Sequence, residues 1–124
     1  MTRNKIIFAV LLLSFLFFSC SKNNSIVGKW ENEDRILSFS DYGDFEIEYK
    51  NPKTIKSFRG STAIKKNLVV LIFDEYQTSD NQWHFTDETE LKGFKEILLV
   101  SVEKDVLITE IKATGKKFEY KKIE

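Results

Sequence analysis

His84 is the single histidine of this 124-residue chain and Cys20 its single cysteine. Side chains able to carry nucleophilic or metal chemistry are therefore few. Ser79 and Asp80 precede His84, but a catalytic triad needs convergence in space, and closeness along the chain does not supply it. His84 lies between Trp83 and Phe85 and reads as an ordinary strand or loop histidine. One cysteine excludes a disulfide framework, a Cys/His metal cage and a haem-attachment motif. No glycine-rich phosphate loop occurs. These residues give no support to catalysis, and no cofactor is expected.

Carboxylates are the other candidates. Asp74, Glu75, Asp80, Asp87, Glu88 and Glu90 fall between Asn67 and Leu91, a stretch without Lys or Arg. Their spacing lacks the alternating acids and the glycine of an EF-hand loop, so calcium is not expected. A solvated acidic face, repelling the anionic membrane or meeting a basic partner, is the better reading. The opposite charge gathers late, with five lysines between Lys112 and Lys122 against one acid, Glu119. Lysines on a last strand keep a sheet edge soluble. The full chain balances 19 basic with 19 acidic residues, which leaves no footprint for nucleic acid.

The N-terminus sets the location. Arg3 and Lys5 precede Ile6–Phe18, an uncharged run broken only by Ser14. Its thirteen residues reach roughly 20 Å as a helix, short of the roughly 30 Å hydrocarbon core of a bilayer. Residues 1–19 therefore read as a removable signal peptide. Ser19-Cys20-Ser21 resembles the lipobox of bacterial lipoproteins of the Bacteroidota type, with Phe17 where that motif usually has Leu. The resemblance implies a diacylglyceryl thioether and an amide-linked acyl chain at Cys20, and several chains anchor stably where one does not. Loss of residues 1–19 removes Arg3 and Lys5 but no acid, leaving 17 basic and 19 acidic residues. Residues 20–25 are the lipidated cysteine and a tether, whose five residues after Cys20 span under about 20 Å. Ser21 in place of Asp implies the outer membrane, and Lys22-Asn23-Asn24, free of acids, implies a domain facing the periplasm.

Residues 26–124 must form the domain. Period-two alternation dominates there: Phe45, Ile47 and Tyr49 alternate with charged residues between Asp44 and Lys50, which predicts a half-buried strand. Further strands are predicted at Ile26–Trp30, Ile36–Phe39, Lys56–Ile64, Leu68–Asp74, Gln82–Thr86, Phe94–Val102, Val106–Ile111 and Lys116–Ile123. Residues 40–44, 65–67, 103–105 and 114–115 supply turns, Pro52 delays the fourth strand, and Glu75–Asn81 reads as a loop. Asp87–Leu91 has room for one helical turn. Eight or nine short strands with short links predict an all-β domain. An up-and-down antiparallel barrel is favoured, and an open β-sandwich is the alternative.

Gly28-Lys29-Trp30 on a first strand, Phe39, Gly43 and Phe45 in an F-x-x-x-G-x-F pattern, and Gly115 leading to Tyr120 together resemble the small lipocalin-like domains of such lipoproteins. The resemblance spans residues 26–123. It implies that Trp30 closes one barrel end with a basic side chain over it. No Arg follows Arg59, so Lys121 or Lys122 must take that role. It also implies a small apolar ligand, such as a lipid, held without catalysis. On strand parity, Trp30, Phe39, Phe45, Ile47, Tyr49 and Phe85 would line the interior. Aromatics of about 150–250 Å² each are enough to fill a narrow barrel. The competing reading is an accessory protein that uses its acidic surface to bind an envelope partner.

Overall fold

A computed structural model describes residues 26–123. The expected signal peptide (residues 1–19), the expected lipidated Cys20 with residues 21–25, and Glu124 lie outside the described residues. Nine antiparallel strands follow one another: β1 (Gly28–Glu31), β2 (Arg35–Phe39), β3 (Asp44–Tyr49), β4 (Ile55–Lys65), β5 (Leu68–Thr78), β6 (Trp83–Phe85), β7 (Lys95–Glu103), β8 (Val106–Ile111) and β9 (Lys117–Lys122). One 3₁₀ turn, Thr86–Glu88, follows β6 and occupies part of the segment with room for a helical turn.

The sheet runs β4-β3-β2-β1-β9-β8-β7-β5, and β4 pairs with β5 to close it. Eight strands thus form a closed barrel, and β6 is appended to β5 outside the ring. The open sandwich is excluded. Side-chain capping sets the short turns. Asn32 Oδ1 accepts the N–H groups of Asp34 and Arg35, both at 2.9 Å. Ser40 Oγ accepts those of Tyr42 and Asp44. Gly43 and Gly115 supply the positive φ values, +83° and +73°, that these turns need.

The core lies inside the ring and contains Trp30, Leu37, Phe39, Phe45, Ile47, Val69, Leu71, Phe73, Leu98, Leu107 and Tyr120. Phe73 is its aromatic hub. Its ring meets Phe45, Phe58 and Phe94 edge-on at centroid distances of 5.1, 5.2 and 5.1 Å. Such edge-to-face pairs add to the stabilisation from area burial.

Two sequence expectations need correction. Glu75–Thr78 is strand, not loop, because these residues pair with β4 on one side and β6 on the other. The alternation is hidden by a bulge at Asp74: Phe73 faces Gly60 and Glu75 faces Arg59, so two residues of β5 advance where β4 advances one. The same bulge overturns the inward placing of Phe85, which is 68 % exposed. Phe85 is in register with Glu75, on the outward side that the bulge creates.

Candidate functional site

Ile26, Trp30 and Lys122 close one end of the barrel. The Trp30 indole N–H donates to the Ile26 carbonyl at 2.8 Å, and Trp30 is fully buried. Lys122 is in register with Trp30, and its Nζ stands 5.6 Å from the Trp30 ring centroid. That separation is within the reach of a cation–π contact. Of the two lysines the sequence offered, Lys122 is the one over the tryptophan.

The other end is more polar. The Arg35 guanidinium lies 5.2 Å from the Tyr49 ring and 4.7 Å from Phe118. Arg35 Nε donates to Asp34 Oδ2 at 2.9 Å. Burial pushes the Glu96 carboxyl above its ordinary range against the opposing pull of Arg35. Burial likewise raises the phenols of Tyr49 and Tyr120. Between these groups a void of about 20 Å³ remains, lined by residues that include Arg35, Glu96, Leu98, Thr109, Phe118 and Tyr120. A void near one water in size has no room for an apolar ligand. Trp30, Phe39, Phe45 and Ile47 are buried and Tyr49 is half-buried. Trp30, Phe39, Phe45 and Ile47 belong to the interior core cluster, and Tyr49 packs against it.

The six acidic residues do not act as one unit. Asp74 is the exposed bulge residue. Glu75 is paired with Arg59, whose Nε donates to Glu75 Oε2 at 2.7 Å. Asp80 belongs to the β5–β6 turn, where it accepts the Thr78 hydroxyl and the Gln82 N–H. These two bonds hold its carboxyl below the ordinary range. Asp87, Glu88 and Glu90 are exposed on the 3₁₀ turn and just after it. Among the described residues, no three His, Cys, Asp or Glu side chains gather as a metal-ligand group.

Residues that sequence reasoning passed over organise this region. The Arg59 guanidinium lies 3.8 Å from the Trp83 ring centroid. Tyr76 stacks on His84 at 5.3 Å. The Thr86 hydroxyl, buried, lies 2.9 Å from the Phe73 carbonyl and 3.1 Å from that of Asp74, so it ties the chain after β6 back to the bulge. An open groove of about 490 Å³ runs along the outer wall beside Tyr42, Asp44, Glu46, Arg59 and Asp74. The signal for Arg59 was its place opposite the acid-rich strand, legible only once β4 and β5 are paired with the bulge included. Comparison of the chain with protein-family models, curated proteins and solved structures finds no match.

Proposed function

We propose that this chain is a non-catalytic lipoprotein of the bacterial envelope whose lipocalin-like barrel is a filled scaffold and whose outer surface binds an envelope protein. The observation that carries this reading is the interior void of about 20 Å³. Small-molecule sites ordinarily measure roughly 300–1,000 Å³, and a barrel of eight strands is narrow enough for side chains to fill. The filled interior favours the surface reading over the apolar-ligand reading.

Anchoring at Cys20 gives that surface an orientation. Ile26, six positions after Cys20, is buried at the Trp30 end of the barrel. The antiparallel registers put the β5–β6 hairpin at the opposite end. A short tether therefore holds the Trp30 end toward the outer membrane and presents the hairpin to the periplasm.

The test uses the full-length chain exported in a diderm bacterium and cross-linked in place. The intact mass should carry the lipid at Cys20, and Cys20→Ala should lose both that mass and membrane retention. Glu88→Lys with Glu90→Lys should abolish the cross-linked adduct, whereas Phe45→Trp, which alters the interior, should preserve it. The reverse pattern would contradict the surface reading.

A further inference from the structure

Closing a sheet into a barrel removes its edges, and β6 is where this chain keeps one. Trp83–Phe85 pairs on one side with Glu75–Gln77, and among the described residues no strand lies on its other side. A free edge presents unpaired N–H and C=O groups. Proteins usually guard such an edge by keeping it very short, or with lysine, proline, a bulge or a covering segment; β6 is short, at three residues. The Trp-His-Phe sequence of β6 carries neither lysine nor proline, and Phe85 is 68 % exposed beside the edge.

The edge is also fixed in position. Asp80 braces the turn before it through Thr78 and Gln82. Gln77 Nε2 donates to the Asn81 carbonyl at 3.1 Å, and Lys56 Nζ donates to the Asn81 side chain. Arg59 supports the Trp83 ring from the outer face. A strand held this firmly needs little further ordering to accept another one, which lowers the cost of binding.

Charge selects the occupant. The chain from Leu68 to Glu90 contains no Lys or Arg, and Asp87, Glu88 and Glu90 are exposed directly after β6. At the hairpin, Arg59 is paired with Glu75, and Lys56 Nζ donates to the neutral Asn81 side chain in the turn, away from Asp87, Glu88 and Glu90 in the chain. We propose that β6 is a docking edge that takes up an extended, lysine- or arginine-bearing segment of a partner protein as an added strand. Main-chain hydrogen bonds would supply the affinity, and the acids after β6 would select for basic side chains. This inference rests on the reading that the barrel works through its outer surface, and it names the partner chemistry.

The test uses full-length protein in detergent and a fluorescent peptide of about eight residues, long enough for one strand, that alternates lysine and valine. An alternating glutamate–valine peptide is the control. The lysine peptide should bind in the micromolar to millimolar range, about tenfold or more tighter than the control, and weaken with salt. It should also slow amide exchange at Trp83 and Phe85, whose main-chain groups face away from β5, by about tenfold or more. Phe85→Pro, at a φ of −75° that proline accepts, removes one of these amides and should abolish binding. Because that change can disturb the hairpin, Glu88→Lys with Glu90→Lys serves as the folded variant, and it should weaken binding about fivefold or more. Equal binding of the two peptides, protection away from β6, or no binding at millimolar peptide would overturn the proposal. So would self-association through β6 that the lysine peptide does not displace. An apolar adduct inside the barrel would sink the surface reading itself, whereas an adduct-free barrel with unprotected β6 sinks only the docking edge.

Discussion

Gly60 has no space for a side chain. A Cβ at this position would lie 1.8 Å from the Ile72 carbonyl oxygen, a backbone atom that cannot swing away. Gly60 faces Phe73 at the bulge, so the missing side chain lets β4 and β5 approach where the register shifts. Gly60→Ala should therefore cost about 3 kcal/mol or more, measured by urea denaturation, and should alter the spectra of residues around Asp74 first. Glu96 supports a prediction of the opposite sign. Its carboxyl is raised by burial more than Arg35 lowers it, so between the ordinary glutamate range and its folded value the native state binds more protons than the unfolded chain. Stability from this group is present at acid pH and is lost as pH rises through that window. Glu96→Gln should raise the melting temperature at pH 7 and leave it nearly unchanged below pH 4, as thermal melts across pH would show. At this scale the lysine over Trp30 was implied by the family resemblance, which with no Arg after Arg59 left Lys121 or Lys122; the β1–β9 register selects Lys122. The sequence was silent about Arg35 and Glu96, whose significance depends on sharing one end of the interior.

The strands show where parity can be trusted. Between Asp44 and Tyr49, alternation places Phe45 and Ile47 in the core and the intervening acids outside. In β5 the reading holds through Phe73 and then fails, since one extra residue reverses every later side chain. That single residue, Asp74, explains both the loop expected at Glu75–Asn81 and the interior site expected for Phe85. Leu68–Phe73 is continuously apolar, a pattern that predicts cover on both faces. The structure instead leaves Leu68, Val70 and Ile72 half-buried on the outer wall. The hairpin that follows is an independent unit of order. Asp80 is held ionised by Thr78 and Gln82, with its carboxyl below the ordinary range. Its contribution is present at neutral pH and fades as pH falls through the carboxylate range. Asp80→Ala should speed amide exchange in β6 at neutral pH and spare the amides of β1 and β9. Uniform acceleration across the barrel would contradict a local role.

As a whole, the molecule is a closed eight-stranded barrel with an aromatic-bearing core inside and a ninth strand outside the ring. All-β architecture and strand order were legible from alternation and turn residues. The up-and-down barrel was also the favoured reading of the short links, although its closure rests on the β1–β9 pairing, which has only two residue pairs in register and no signature in the sequence. Aromatic size in the sequence already argues against a roomy interior, whereas which side chains point inward depends on parity. Occupancy of the interior separates the proposed surface-acting role from a lipid-carrying one, so it is the property to measure first. Native mass spectrometry of the full-length protein, released from detergent after exposure to fatty acids and phospholipids, reads it directly. The account predicts one mass, carrying the covalent lipid at Cys20 and no further adduct. A stoichiometric, solvent-extractable adduct that persists in Cys20→Ala and disappears in Phe45→Trp would contradict it.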